Sequence, residues 1–160
     1  MHLVYLLLGS NLGDREGNIL KAIGLIKDRT GRLQRASSLY ETEAWGGVEQ
    51  GPFLNQAIEV QTTKEPLELL HELKQIEKEC GRTETVRWGP RAIDIDIMLM
   101  DDLVYKTEEL TVPQRLLEER RFALVPLAEI APKLVHPVLN KTIAELQAEC
   151  KDTTRVTKIG

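Results

Sequence analysis

The residues best placed to do chemistry lie in the run Ile93-Asp94-Ile95-Asp96-Ile97. Successive side chains of a strand point to opposite faces. Ile93, Ile95 and Ile97 would therefore enter a core, leaving Asp94 and Asp96 together on the other face, roughly 7 Å apart. Two ionised carboxylates so placed repel, and each disfavours the charge of the other. A divalent cation removes that cost. Mg²⁺ in particular takes one or two carboxylates and fills its remaining positions with water and substrate phosphates. Taken alone, the same alternation also describes a strand with one solvated face.

The neighbours sharpen the reading. Arg87-Trp88-Gly89-Pro90-Arg91 stands immediately upstream, with Arg82 at the start of the same connection. Between Cys80 and Val125 the sequence has six arginines (82, 87, 91, 115, 120 and 121) and one lysine, Lys106, whereas lysines outnumber arginines nine to five elsewhere. A guanidinium grips phosphate oxygens with two parallel hydrogen bonds, while an ammonium acts as a point charge. A net charge of −4 argues against a general nucleic-acid-binding surface. An arginine cluster on an acidic chain fits a small polyanion instead. Metal-held phosphates flanked by guanidinium groups are the usual device of phosphoryl transfer, where positioning and charge neutralisation do most of the catalysis.

Other chemistries lack their residues. Neither a Gly-x-x-x-x-Gly-Lys-Ser/Thr nor a Gly-x-Gly-x-x-Gly run occurs. His2, His71 and His136 are scattered without ligand or triad spacing, and Cys80 and Cys150 show neither metal-ligand spacing nor a disulfide framework. No nucleophile-and-base pair supports covalent catalysis. Gly9-Ser10-Asn11-Leu12-Gly13 reads as a structural turn. Phe53 and Asn55 would share a strand face, where a flat ring beside a carboxamide suits a heterocycle as well as it suits a core Phe beside a turn.

The elements that must position these groups follow from the pattern. Leu3 to Leu8 reads as a strand, and Asp14 caps a helix with Ile19, Ile23 and Ile26 at helical spacing, ended by Thr30-Gly31. Leu33 to Thr42 and Phe53 to Thr62 read as strands joined by the long glycine-bearing connection Glu43 to Pro52. Pro66 opens a helix to Cys80, with Gly81 as its stop. Glu77 falls on that helix's apolar stripe, where a carboxylate needs a partner or an adjoining site. The strand Ala92 to Met100 follows the connection Arg82 to Pro90. After Pro113 come a short turn or helix, the segment Phe122 to Leu127, and a last helix opened by Thr142 with Glu145 as a capping box. The order strand, helix, strand, strand, helix, strand predicts a single α+β domain over 1–160 with a ferredoxin-like antiparallel sheet and helices packed on one face. The apolar run at the N-terminus is too short to span a membrane, so a cytoplasmic location is expected.

The sequence resembles the 6-hydroxymethyl-7,8-dihydropterin pyrophosphokinase family of folate biosynthesis. The likeness is carried by Leu8-Gly9-Ser10-Asn11-Leu12-Gly13-Asp14, Tyr40-Glu41-Thr42, Phe53-Leu54-Asn55, Gly81-Arg82, the arginine-rich run with its Asp-x-Asp, Thr111-Val112-Pro113, and Glu119-Arg120 with Phe122. It implies transfer of pyrophosphate from ATP to the pterin hydroxymethyl group with release of AMP. It implies two Mg²⁺ ions held by Asp94 and Asp96, and phosphate-binding, catalytic roles for Arg82 and Arg91. Glu77, Gln114, Arg115 and Arg120 would join them around ATP. Phe53 and Phe122 would sandwich the pterin, with Asn55, Thr42 and Trp45 beside it, and Trp88 would belong to a loop that closes over the site. Gln114 stands where the family has a histidine, and Glu84 and Thr85 where it has a further basic residue. ATP and the reduced hydroxymethylpterin would be the partners of a monomer that needs neither nucleic acid nor membrane. The competing class is a non-catalytic module that senses a nucleotide through the same arginines.

Overall fold

The structure is a computed structural model that describes residues 1–42, 51–81 and 92–159. The first strand, β1 (His2–Ser10), runs further than the apolar run alone indicates, so Gly9 and Ser10 belong to the sheet and not to the turn. Asp14 then accepts a hydrogen bond from Gly17 N and opens α1 (Arg15–Arg29). Gly31 ends it against the sheet, where a side-chain carbon would lie 2.2 Å from the Gln61 carbonyl oxygen.

The stretch from Leu33 to Thr42 is divided, not one strand: β2 (Arg32–Ala36) and β3 (Leu39–Thr42) both pair antiparallel with β4 (Phe53–Thr62). The break is at Ser37, whose hydroxyl accepts the Ala57 N–H while its own N–H bonds the Ala57 carbonyl. A side chain thus takes one place in the ladder that backbone would otherwise fill. Next comes α2 (Pro66–Glu79), opened by proline. It leads to β5 (Asp94–Met100), which begins two residues later than expected.

β1 lies between β4 and β5, giving the sheet order β5-β1-β4-β3, the ferredoxin-like arrangement that the element order predicts. A small hairpin follows, β6 (Tyr105–Lys106) with β7 (Thr111–Val112), then α3 (Arg121–Ile130), α4 (Ile143–Glu149) and β8 (Val156–Ile159). β8 pairs with β3 and extends the sheet by a strand.

Alternation along β1 divides the interior in two. Val4, Leu6 and Leu8 join Ile58, Val60, Ile95 and Ile97 under α1 and α2. Tyr5 and Leu7 join Ala57, Met98 and Leu99 under α3 and α4. The expectation of helices on one face holds for α1 and α2, while the second pair covers the opposite face. A bulge in β5 serves both layers: the register passes from Tyr5–Leu99 to Leu6–Ile97, so Met98 and Leu99 both enter the second cluster. One extra residue in a strand shifts its side-chain phase in this way.

Candidate active site

Two of the expected residues, Asn55 and Asp94, flank the end of β1. Gly9 pairs with Asn55 of β4 on one side and with Asp94 of β5 on the other. Residues opposite one another in adjacent strands share a face, so the three form one row across the sheet. Strand spacing puts the Asn55 and Asp94 backbones roughly 10 Å apart. Gly9 is the floor between them. A carbon added there would stand 2.7 Å from Asn55 Oδ1 and 3.4 Å from Phe53 Cδ1. Sequence reasoning missed this role, because the neighbours that demand a glycine come from a strand more than forty residues away.

Asn55 is buried, and its Nδ2 donates to Thr42 Oγ1 at 2.8 Å. That bond fixes the amide plane and turns Oδ1 toward Gly9. Thr42, also buried, pairs in register with the half-buried Phe53. The carboxamide and ring anticipated for one surface do stand together, with the Thr42 hydroxyl between the strands.

On the other side, Asp94 and Asp96 alternate with buried Ile95 and Ile97, as the strand reading requires. Leu7, opposite Asp96, belongs to the second cluster, so both carboxylates lie on that face. Asp94 is half-buried and Asp96 exposed at the sheet's border. Two carboxylates beside an open row are a donor set that suits Mg²⁺. No group of three or more His, Cys, Asp or Glu side chains among the described residues offers a richer metal site.

Glu77 explains how this border is held. Its Oε2 accepts the Ile95 N–H at 2.7 Å, and the side chain is buried. Ile95 sits between the two aspartates, and its N–H points away from β1, where no further strand follows among the described residues. A carboxylate from α2 therefore takes the place of a neighbouring strand. A charge-assisted bond of this kind is about twice as strong as a neutral one. Further along, Gln114 N donates to the carbonyl of bulged Met98 at 2.9 Å. This sets the Gln114 segment on the same strand as the aspartates, and Gln114 Oε1 is buried without a hydrogen-bond partner among the described residues.

Arg120 is half-buried just before α3, and Phe122, in the first turn, packs against the second cluster. Arg115 is exposed. Arg82, Arg87, Arg91, Trp45 and Trp88, with Glu84 and Thr85, lie outside the described residues. The histidines stand apart from the row, in agreement with the sequence reading. His2 contacts Asp101 and Glu65 at the far end of β1, His71 pairs with Glu109, and burial holds the His136 pKa down while its Nδ1 accepts the Val138 and Leu139 N–H groups. Both cysteines are free thiols.

The chain is similar to known proteins over most of its length. Residues 5–132 match the family model described as 7,8-dihydro-6-hydroxymethylpterin-pyrophosphokinase. The chain is 46% identical over 149 residues to the 2-amino-4-hydroxy-6-hydroxymethyldihydropteridine pyrophosphokinase of Aquifex aeolicus, covering 93% of this chain and 92% of that protein. With the enzyme of the same name from Bacillus subtilis it shares 44% identity over 134 residues, 83% of this chain and 80% of that one. Among solved structures it resembles wild-type Plasmodium falciparum HPPK-DHPS with pterin and p-hydroxybenzoate, with a TM-score of 0.75 at 20% identity, over 92% of this chain and 43% of that one. At that identity the structural likeness speaks for the fold.

Proposed function

Since the chain belongs to the 7,8-dihydro-6-hydroxymethylpterin-pyrophosphokinase family, we propose that its row of Asn55, Gly9 and Asp94 seats the pterin with its hydroxymethyl arm toward the aspartates. The protein is a Mg²⁺-dependent pyrophosphokinase of folate biosynthesis that transfers pyrophosphate from ATP to 6-hydroxymethyl-7,8-dihydropterin. The observation that carries the site assignment is the placement of Gly9 between a carboxamide and a carboxylate. A fused two-ring heterocycle can lie on the missing side chain, read Asn55 at one end and present its alcohol at the other.

In this reading Phe53 and Phe122 stack on the two faces of the rings, and Asn55, Thr42 and Trp45 surround the hydrogen-bonding edge. The alcohol oxygen attacks the β-phosphorus and gives up its proton to solvent, the bond from that phosphorus to the α–β bridging oxygen breaks, and AMP departs with the bridging oxygen. Asp94 and Asp96 would hold two Mg²⁺ ions, whose positive charge would offset that of the triphosphate. Arg82, Arg91 and Arg120 hold phosphate oxygens where charge grows, with Gln114 and Arg115 beside the nucleotide. Glu77 serves the nucleotide through the border strand it secures. No helix among the described residues is long and apolar enough to cross a membrane; a cytoplasmic location and a monomeric state complete the proposal.

The test is Mg²⁺-dependent formation of AMP from ATP upon addition of the reduced hydroxymethylpterin, abolished by chelation of the metal. Asp94→Ala and Asp96→Ala are each expected to lower turnover by on the order of 10³-fold, with little change in folding. Near-native AMP release by both variants ends the assignment.

A further inference from the structure

The family match ends at residue 132, yet the last ten described residues contact both walls of the site. The residue before α3, Arg120, provides no side-chain cap, so the first N–H groups of that helix need acceptors from elsewhere. Asp152 supplies one: its Oδ2 accepts the Arg121 N–H at 3.1 Å. Its other oxygen, Oδ1, accepts the Thr154 N–H at 2.9 Å and the Thr154 hydroxyl at 2.5 Å. Both oxygens are thus engaged, and a negative charge stands where the helix dipole favours one. Four residues later Val156 pairs with Thr42, the last rung of the β3–β8 ladder. Thr42 in turn receives the Asn55 amide and faces Phe53. Five residues, 152 to 156, therefore link the wall that begins with Phe122 to the wall that carries Phe53.

We infer that Asp152 is a positioning residue for the pterin pocket, acting through Phe122 by fixing the start of α3 against the strand that carries Thr42. This rests on the reading of Phe53 and Phe122 as the pair that stacks on the pterin. The carboxylate contacts no substrate; it sets where the Phe122 ring stands. Hydrogen bonds from Thr154 and Arg121 outweigh the effect of burial and hold the Asp152 carboxyl below the usual carboxylate range, so it stays ionised through the working pH.

The experiment is a double-mutant cycle in the full-length enzyme, with KM for the reduced hydroxymethylpterin and kcat read separately and circular dichroism checking the fold at the assay temperature. Asp152→Ala is expected to raise the pterin KM about fivefold, the size of a typical lost helix cap, while kcat stays within roughly twofold. Phe122→Ala raises the same KM. The double variant shows no further rise, because residues that act through one another are non-additive. Thr154→Val, which removes only the hydroxyl that orients Asp152, moves the pterin KM the same way by less, and carries the test if Asp152→Ala does not fold. An unchanged pterin KM in the folded Asp152 or Thr154 variant, beside a weakened Phe122→Ala, overturns the role of Asp152 and leaves the site reading intact. Effects that multiply in the double variant also overturn it. A neutral Phe122→Ala overturns the stacking assignment itself.

Discussion

Gly9→Ala tests the site at its floor. The added methyl carbon would stand 2.7 Å from Asn55 Oδ1 and 3.4 Å from Phe53 Cδ1. The second distance is tolerable; the first lies well inside contact, so the amide must swing away by about half an ångström or more. Asn55 cannot move freely, because its Nδ2 is bonded to Thr42 Oγ1 at 2.8 Å in a buried environment. Disturbing such a pair costs about 1–3 kcal/mol. Against this, alanine recovers about 0.5–1 kcal/mol that glycine forfeits in a regular strand. The fold is therefore expected to lose no more than about 2.5 kcal/mol and to survive. The ligand meets a larger penalty, since the amide no longer points at its edge and the methyl group occupies the floor. A loss of about 1.4 kcal/mol or more corresponds to at least a tenfold rise in the pterin KM. Steady-state AMP formation with varied pterin at saturating Mg-ATP measures it, with Asn55→Ala as the parallel variant. A folded Gly9→Ala enzyme whose pterin KM stays within about twofold of the native value would refute the placement of the pterin on this row.

Three more expectations follow from the contacts around it. Glu77→Leu leaves the Ile95 N–H buried without an acceptor, at a cost of about 1–3 kcal/mol; the melting temperature should fall by several degrees and turnover with it, and a variant as stable as the native protein would contradict the border-strand role. Gln114→His restores a basic side chain beside β5 and is expected to tighten Mg-ATP binding about threefold or more, with a larger gain at pH 6 than at pH 8; calorimetric titration checks it, and equal affinity would mean that Arg115 already fills the role. Acid should loosen α3. Burial pushes the Asp152 and Glu129 carboxyls up, but bonds from Thr154 and Arg121 to the first, and from Tyr40 and Ser38 to the second, outweigh it and hold both below the ordinary range. Groups lowered in this way stabilise the fold fully above the unfolded carboxylate range, about pH 4, and lose that contribution as pH falls through their lower folded values. Protection of α3 amides from hydrogen exchange should decline in that window ahead of β1 and β4, and equal protection would dismiss the idea.

Where local chemistry decides the structure, the sequence was readable. Asp14 and Gly31 bracket α1, Pro66 opens α2, and Thr142 with Glu145 forms the capping box of α4, its hydroxyl accepting the Glu145 N–H while that carboxylate accepts the Thr142 N–H. The alternation of Ile with Asp placed the two carboxylates on one face for the same reason. Features that depend on distant partners were not readable. The break at Ser37 exists because its hydroxyl meets Ala57, and the bulge at Met98 because two layers compete for the strand. β8, with mostly exposed Val156-Thr157-Lys158-Ile159, has no apolar pattern of its own and is a strand only because β3 offers an edge. α3 runs three residues past the expected Leu127, to Ile130, with Pro126 inside it. In the site, Asn55 and Phe53 were readable as neighbours on a strand, whereas the demand on Gly9 and the partner of Glu77 arise between elements. Arg82 and Arg91, read from their place beside the Asp-x-Asp strand and from the family resemblance, lie outside the described residues.

The second face of the sheet is roofed unevenly. Tyr5, Leu7 and Ala57 lie in the cluster formed with α3 and α4, while the next row is Gly9 with Asn55 and Asp94. A pterin seated there would continue the roof, doing for the last row what aliphatic side chains do for the others. Catalysis and folding would then draw on one surface. Each substrate bound would add to the stability of the native state by mass action.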